Sequence, residues 1–502
     1  MRCRAVKNKI LSIGAILLCF LHLDTIGQDM LGTVLGNYAG VNAIQVNPSA
    51  LHNSKTYFDF ELMGADLFLQ NNYLFVARKD YRIGHFFQSG YQWPTHAEQY
   101  GTESRMFYSK SGKQDRNIFI NLRIDGPGLM LIWKKHAFAL TTDFRTIVSA
   151  RNVPYEIANF SYLGLNYLPQ QNINYKDNRP FKIAAISWAE IGLTYAYEIY
   201  ANGFDKISAG ISAKRLYGYA GMNVVVKNID YVVPNDSTIS VKNLNGEFGI
   251  SLPVSYSKNS YNSSSLVMGR GFGFDVGVTY YRLARMHEEN YSSSLCSKPY
   301  ADYLYRLGIS LIDVGAIKFT GNAEKYTINN RGSYWDNVNR IKFNSIQQII
   351  DTLSYKFYGD PKSAYTDNKF YLWLPSALSI QFDYHYNNDW YINGSFIYGF
   401  NFSKNSITRP SDFSITPRYE RDWFEADFPV SLYDWTLPRI GLSLRFYYLT
   451  IGTDKLGWFF HVNDLTGMDF YFTIKFFLKK GTCRSVNSKG CKEKNFQVKS
   501  KF

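Results

Sequence analysis

The chain has 502 residues, a formal charge of +14, 17% aromatic residues including 40 Tyr and 37 Phe, and a mean hydropathy of -0.24. That length allows either two or three soluble domains or one large membrane barrel. The charge is terminal: residues 1–27 hold four basic groups against Asp24, residues 479–502 hold eight against Glu493, and +4 is left for everything between, which removes the main support for nucleic-acid binding.

Arg2, Arg4, Lys7 and Lys9 precede an apolar run over 10–23, and small residues follow at 25–27, so residues 1–27 read as a signal peptide with the mature chain starting at Gln28. Leu18 before Cys19 is not small, which argues against lipoprotein processing. No later run is long and apolar enough for a spanning helix, so any later membrane crossing must be made by strands.

Residues 28–53 depart from a strand period. Leu31, Val34, Leu35, Tyr38 and Val41 recur at helical spacing, broken by Gly36 and Gly40 and stopped by Pro48. Such a piece is too short to fold alone, and a barrel lumen offers cover for its apolar face. The expectation is a plug in which Asn42 and Asn47 satisfy their amides against luminal charges or plug backbone, and Pro48, followed by Ser49, sets the turn into the wall. A plain packing helix and a periplasmic helix docked on a partner are the alternatives.

Residues 54–478 read as the wall of an all-β transmembrane antiparallel barrel. In YFDFEL, Phe58, Phe60 and Leu62 alternate with Tyr57, Asp59 and Glu61. The same two-residue period runs through IFINLRID at 118–125, through 190–199, through GFGFDVGVTYY at 271–281, and through 378–385, 439–446 and 469–478. Several runs keep phase for about 9 to 11 residues, enough for a tilted strand to cross a bilayer and longer than usual sandwich strands. The run at 271–281 poses a question of its own, because Gly271, Gly273 and Gly277 share one face, and glycine leaves nothing to pack there. Lys134-Lys135, Asn202-Gly203 and Asn387-Asn388-Asp389 read as tight turns, and long polar stretches near 77–115, 150–179, 225–268 and 319–371 as exterior loops, giving roughly 14 strands. Within the last stretch, Ile346, Ile349, Ile350, Leu353 and Phe357 share a helical face after an Asn344/Ser345 cap, as a packing helix or a lid.

The polar faces carry Arg123, Glu190, Glu198, Lys214, Asp275, Arg306, Asp383, Arg439, Arg445 and Lys475, mixed in sign as a filled, pairing lumen requires. A lumen charged throughout would speak against passage of lipids, and a continuous apolar groove would speak for it. The basic tail, 479–502, either lies on anionic headgroups or is disordered, and Cys483 and Cys491 within it are placed either to pair or to stay free.

No nucleophile elbow, zinc-protease, P-loop or dinucleotide motif occurs; GRGFGF at 269–274 has the wrong glycine spacing, and His287-Glu288-Glu289 reads as a solvated loop. No catalytic residue, metal or cofactor is expected, and the chain reads as no enzyme.

The stretch NPSAL after a helical N-terminus resembles the Asn-Pro-Ala hatch of the FadL long-chain fatty-acid transporter family, with Ser49 in place of the alanine. KHAFALTTDFR, GFGFDVGVTY, TPRYERDWFE, PRIGLSLRF, LTIGTDKLG and TGMDFYF resemble a Bacteroidetes outer-membrane barrel family of unknown function. The first likeness implies a plugged 14-stranded barrel; the second implies fold and location and no chemistry. The expected role is uptake or passage of a hydrophobic or amphipathic small molecule across the outer membrane of a Gram-negative bacterium, the alternative being a non-transporting structural or partner-binding barrel for secretion or surface assembly. Expected partners are outer-membrane lipids, a hydrophobic ligand and other envelope proteins at the exterior loops.

Overall fold

The computed structural model describes residues 30–86, 88–97, 104–261, 266–286 and 300–480. The expected leader, the His287-Glu288-Glu289 triplet, Cys296, and the tail from residue 481 with Cys483 and Cys491 lie outside the described residues.

Fourteen antiparallel wall strands close into a barrel. They are β1 (Thr56–Asn71), β2 (Arg116–Asp125 and Gly128–Trp133), β3 (His136–Val153), β4 (Phe181–Asn202), β5 (Asp205–Asn235), β6 (Thr238–Ser251 and Gly269–Leu283) and β7 (Tyr303–Phe319 and Ala323–Trp335). The second half comprises β8 (Tyr365–Asp367, Phe370–Trp373 and Ala377–Asn387), β9 (Trp390–Gly399), β10 (Asp412–Glu420), β11 (Phe424–Asp427 and Val430–Tyr433), β12 (Leu437–Ile440 and Leu442–Phe446), β13 (Leu449–Thr453) and β14 (Gly467–Lys479). The last strand pairs with the first, with Phe60 opposite Phe476 and Leu67 opposite Phe470. Closure removes the edge that an open sheet would leave unsatisfied in lipid. Breaks within strands sit where the chain lacks a donor or a side chain: Gly126-Pro127 in β2, Pro429 in β11 and Gly441 in β12.

Alternation sorts the side chains. On β4, Leu193 is 64% exposed while Glu190 and Glu198 are 1% exposed. On β6, Phe272, Phe274, Val276 and Val278 point outward, and Gly271, Gly273, Asp275, Gly277 and Thr279 point inward. This apolar outer belt is one a bilayer covers and water does not. Tight turns follow β2 with Lys134 at φ +55, β4 with Gly203 at φ +58 and β8 with Asn388 at φ +38. They lie at the end that holds Thr56 and Lys479, periplasmic by the short-turn rule for such barrels. Aromatic groups crowd this rim, among them His136, whose Nδ1 lies 2.8 Å from the Tyr195 hydroxyl.

The structure corrects two readings of the connections. The stretches near 225–268 and 319–371 are largely wall: β5 runs for 31 residues, about 100 Å of strand at roughly 3.3 Å per residue, and pairs with 238–251, which pairs with 323–335. Beyond the bilayer the outer face no longer has to be apolar, so the alternation that marks a membrane strand fades while pairing continues. The ends of β6 and β7 at Leu283 and Tyr303, which nineteen residues join, lie at the same end as the tight turns. Among the described residues, besides one helical turn at Ile83–Phe86, two longer helices decorate the exterior end, α1 (Tyr155–Leu163) and α2 (Ile346–Tyr358). The second starts where Ser345 accepts a hydrogen bond from the Gln348 amide and stops at Gly359 with φ +75.

Replacing Leu193 with Arg is expected to cost about 2–4 kcal/mol of unfolding free energy for the protein folded in vesicles if this belt sits near the midplane; denaturant titration of the two proteins measures it.

Candidate functional site

Residues 30–55 lie inside the barrel and are buried almost throughout. The helical spacing does not become an α-helix. The chain forms 3₁₀ turns at Gly40–Gln45 and Pro48–Asn53, with Gly40 at φ +56 and Asn47 extended at φ −163, so Gly40 and the Asn47-Pro48 pair divide it into short turns. Most carbonyls of such turns lack helical partners, and wall side chains supply donors. Arg306 and Arg418 donate to the Leu35 carbonyl, Lys475 donates to those of Tyr38 at 2.9 Å and Ala39 at 2.6 Å, and Gln381 and Ser310 donate to that of Val46.

The tightest seat holds Asn47, Pro48 and Ser49. Asn47 Oδ1 accepts from the Ser49 amide at 3.0 Å and its hydroxyl at 2.6 Å, while Nδ2 donates to Gln381 at 2.9 Å and Thr279 at 3.2 Å. A Cβ at Gly277 would stand 2.2 Å from Asn47 Oδ1, one at Gly308 2.8 Å from Asn47 Nδ2, and one at Gly210 2.6 Å from the Pro48 backbone. These three glycines on adjacent strands form a floor that any side chain would fill. Asn42 reaches Thr473 at 3.4 Å.

Each of the ten charged residues singled out in the sequence faces the lumen. Arg123 contacts Asp125 at 2.6 Å and Asp143 at 3.3 Å; Lys214 contacts Asp275 at 2.8 Å and Asp313 at 2.9 Å; Arg306 contacts Asp383 at 2.8 Å. Arg439 meets Asp412 at 2.7 Å and Arg445 meets Glu425 at 2.8 Å. Glu190 accepts from the Trp188 indole at 2.7 Å, and Glu198 lies 3.5 Å from Lys206 and 3.7 Å from His52. Lys475 donates hydrogen bonds to the N-terminal segment and stands 3.9 Å from the wall carboxylate of Asp59. The sequence reading missed Asp313, gripped by Arg145 at 2.9 Å and Lys214, and Arg418, which joins Asp383 at 3.0 Å to Glu420 at 3.0 Å. Arg145, Arg418 and Glu420 share the inward phase of strands already read; Asp313 has φ +55 at a register shift, where phase is lost.

The exterior half of the lumen is apolar. Phe119, Ile186, Trp188, Phe319 and Leu372 pack there with Ile407, carried by a connection (400–411) that folds inward and is tied by the Ser149 hydroxyl to the Thr408 carbonyl at 2.9 Å. The lumen is thus neither charged throughout nor an open apolar groove. A cavity of 30 Å³, lined by Val34, Leu35, Val46, Arg306 and Gln381 among others, lies between segment and wall.

A larger space lies outside the lumen. Lys325 points inward to Glu247, 3.2 Å away, so its neighbour Tyr326 points outward, as do Val224, Phe248 and Ile250 on the paired strands. Helix α2 lies over this outer face with Ile346, Ile349, Ile350 and Leu353, and an almost wholly apolar chamber of 540 Å³, open to the outside, lies between helix and sheet.

Residues 48–454, from the Asn47-Pro48 turn to the end of β13, match the profile of the family of unknown function DUF5723. The chain belongs to that family. No curated protein sequence matches it. Among solved structures, it is similar to the Ralstonia pickettii toluene transporter TbuX, at 8% identity and TM-score 0.37 over 90% of this chain and 97% of that one. It is also similar to the P. putida toluene transporter TodX (9%, 0.35, 87% and 92%) and to a Pseudomonas aeruginosa FadL homologue (12%, 0.30, 90% and 98%).

Filling the glycine floor is expected to dislodge the segment. With native cysteines replaced by Ser and a reporter Cys at Ile44, Gly277→Leu should make the reporter accessible to a water-soluble thiol reagent. Gly394→Ala, where a Cβ meets nothing nearer than 4.0 Å, should leave it protected. Asn47→Ala, which removes the donor to Gln381 and Thr279 and the acceptor of Ser49, is expected to cost about 1–3 kcal/mol of segment docking, read as the labelling rate.

Proposed function

We propose that the chain captures a hydrophobic or amphipathic small molecule at the exterior face of a Gram-negative outer membrane and passes it through a barrel whose resting lumen is closed by residues 30–53. The observation that carries this reading is the chamber under α2. Its 540 Å³ falls within the range of small-molecule sites, about 300–1,000 Å³, and its lining offers an apolar solute burial with few polar groups to leave unpaired. In this reading α2 is the lid, since Ile346, Ile350 and Leu353 form one wall of the open chamber and can close over a bound solute.

One observation favours the second reading, a non-conducting barrel that serves as a structural or docking platform. The lumen is closed from both ends, by the N-terminal segment and by the inward connection carrying Ile407, so passage requires both closures to shift.

Binding of an uncharged naphthylamine fluorophore separates the readings. Ile350→Glu with Leu353→Asp is expected to weaken it about tenfold or more, ~1.4 kcal/mol, while the barrel keeps its heat resistance in detergent; unchanged binding would sink the chamber as the site. In planar bilayers the intact protein should show little steady current, and deletion of residues 28–52 should raise it and make it noisy. Absence of both probe binding and any current change would leave the docking platform.

A further inference from the structure

Residues 37–55 begin and end at one place. The Lys55 amide donates to the Asn37 carbonyl at 3.0 Å, and the Ser54 hydroxyl donates to the same oxygen at 3.2 Å. Glu420, at the periplasmic end of β10, is buried and holds both ends of this loop. Asn37 donates to its carboxylate from the backbone at 3.2 Å and from the side chain at 3.1 Å, and Lys55 Nζ donates to Oε1 at 2.6 Å. The segment is thus fastened at its root by a single carboxylate.

Three tyrosines surround the Lys55 ammonium. The ring centroids of Tyr38, Tyr300 and Tyr391 each lie 5.5 Å from Nζ. They come from separate pieces of chain, namely the segment itself, the stretch leading into β7, and the start of β9. A cation is attracted to the face of an aromatic ring, and several rings about one ammonium are the arrangement with which proteins bind alkylammonium ligands. The other cations nearby have carboxylates of their own. Arg418, 4.7 Å from the Tyr391 centroid, meets Asp383 at 3.0 Å as well as Glu420 Oε2 at 3.0 Å; Arg445, 4.2 Å from the Tyr38 centroid, meets Glu425 at 2.8 Å. The Lys55 side chain keeps 21% of its surface exposed while Tyr38 and Tyr391 keep 2%, so the site is reached along Lys55.

We propose that Tyr38, Tyr300, Tyr391 and Glu420 form a binding site for a primary alkylammonium group, filled in the closed barrel by Lys55 as a ligand tethered to the segment it fastens. Glu420 sets the class: its contact with the occupant is a hydrogen bond from N–H, which a primary ammonium offers and a quaternary one does not. The tether gives Lys55 a high effective concentration, so a free amine enters only where the lysine is missing. This assignment concerns the root of the segment and stands whether or not the barrel transports anything.

The test uses the full chain in detergent, with native cysteines replaced by Ser and the reporter Cys at Ile44. Lys55→Ala removes the ammonium and leaves room for n-propylammonium, which matches the missing atoms. The variant should label about tenfold faster or more, ~1.4 kcal/mol. Adding n-propylammonium chloride should restore protection with a saturating dose response, whereas n-propanol, or NaCl at equal ionic strength, should not, and tetramethylammonium should act more weakly. Tyr391→Leu in the same background should raise the half-saturating concentration about threefold or more. Should Lys55→Ala fail to assemble, n-propylammonium present during refolding should recover the heat-resistant barrel where n-propanol does not. Labelling no faster than in the parent, equal rescue by n-propanol or NaCl, or stronger rescue by tetramethylammonium would overturn the proposal.

Discussion

In a lumen from which water is largely excluded, every charged group must find a partner, and this constraint organises the rest of the molecule. Residues 30–54 contain no Asp, Glu, Lys or Arg, so the segment enters a charged lumen without adding charge to it. It offers backbone carbonyls instead. Arg306, Arg418 and Lys475 reach Leu35, Tyr38 and Ala39, which gives these cations acceptors beyond the wall carboxylates Asp383 and Glu420. The glycines of β5, β6 and β7 serve the same end, because contacts to backbone require the wall to come close. That answers the question posed by the glycine face of 271–281: Gly277 is absent of side chain so that Asn47 can reach Thr279 and Gln381.

The border between the charged and apolar halves is drawn by Trp188. Its indole N–H donates to Glu190, its ring lies 4.8 Å from the Arg145 guanidinium, and the rest of it packs into the apolar layer with Ile186 and Leu216. One side chain thus faces both environments. Arg145 in turn grips Asp313, which Arg409 of the inward connection approaches at 3.7 Å, so both halves meet at one carboxylate.

Much of the wall was legible because lipid on one side and a polar lumen on the other impose a strict two-residue rhythm. Phe272 to Tyr280 and Ile191 to Ile199 carry it plainly, and the closed antiparallel barrel of fourteen strands follows that rhythm. Helix α2 was legible from its Ser345 cap and its spacing of apolar residues. The upper walls were not, because beyond the bilayer Val224 to Val226 and Gly246 to Ile250 are under no such rule. The chamber was invisible for the same reason, since its lining comes from stretches over a hundred residues apart that read as loops. In the N-terminal segment, the apolar set was readable but its conformation was not, because Gly40 and Asn47-Pro48 break helix formation at points that periodicity alone ignores.

The closure of β1 on β14 has a kinetic side. The segment comes first in the chain, yet its hydrogen bonds reach Glu420, 383 residues on from Asn37, and Lys475, 437 residues on from Tyr38. Interactions of such sequence separation reward the chain only after the intervening loop entropy has been lost, which makes them late events on a folding route. The glycine floor of β5, β6 and β7 is made mid-chain, while β10 and β14, which also hold the segment, are among the last synthesised, so its seat is not complete until the sheet is. The molecule must therefore either thread a finished cylinder or gather its final strands around a segment already resting on β5, β6 and β7, and the contacts of Asn47 and Ser49 to that floor offer the second route a foothold.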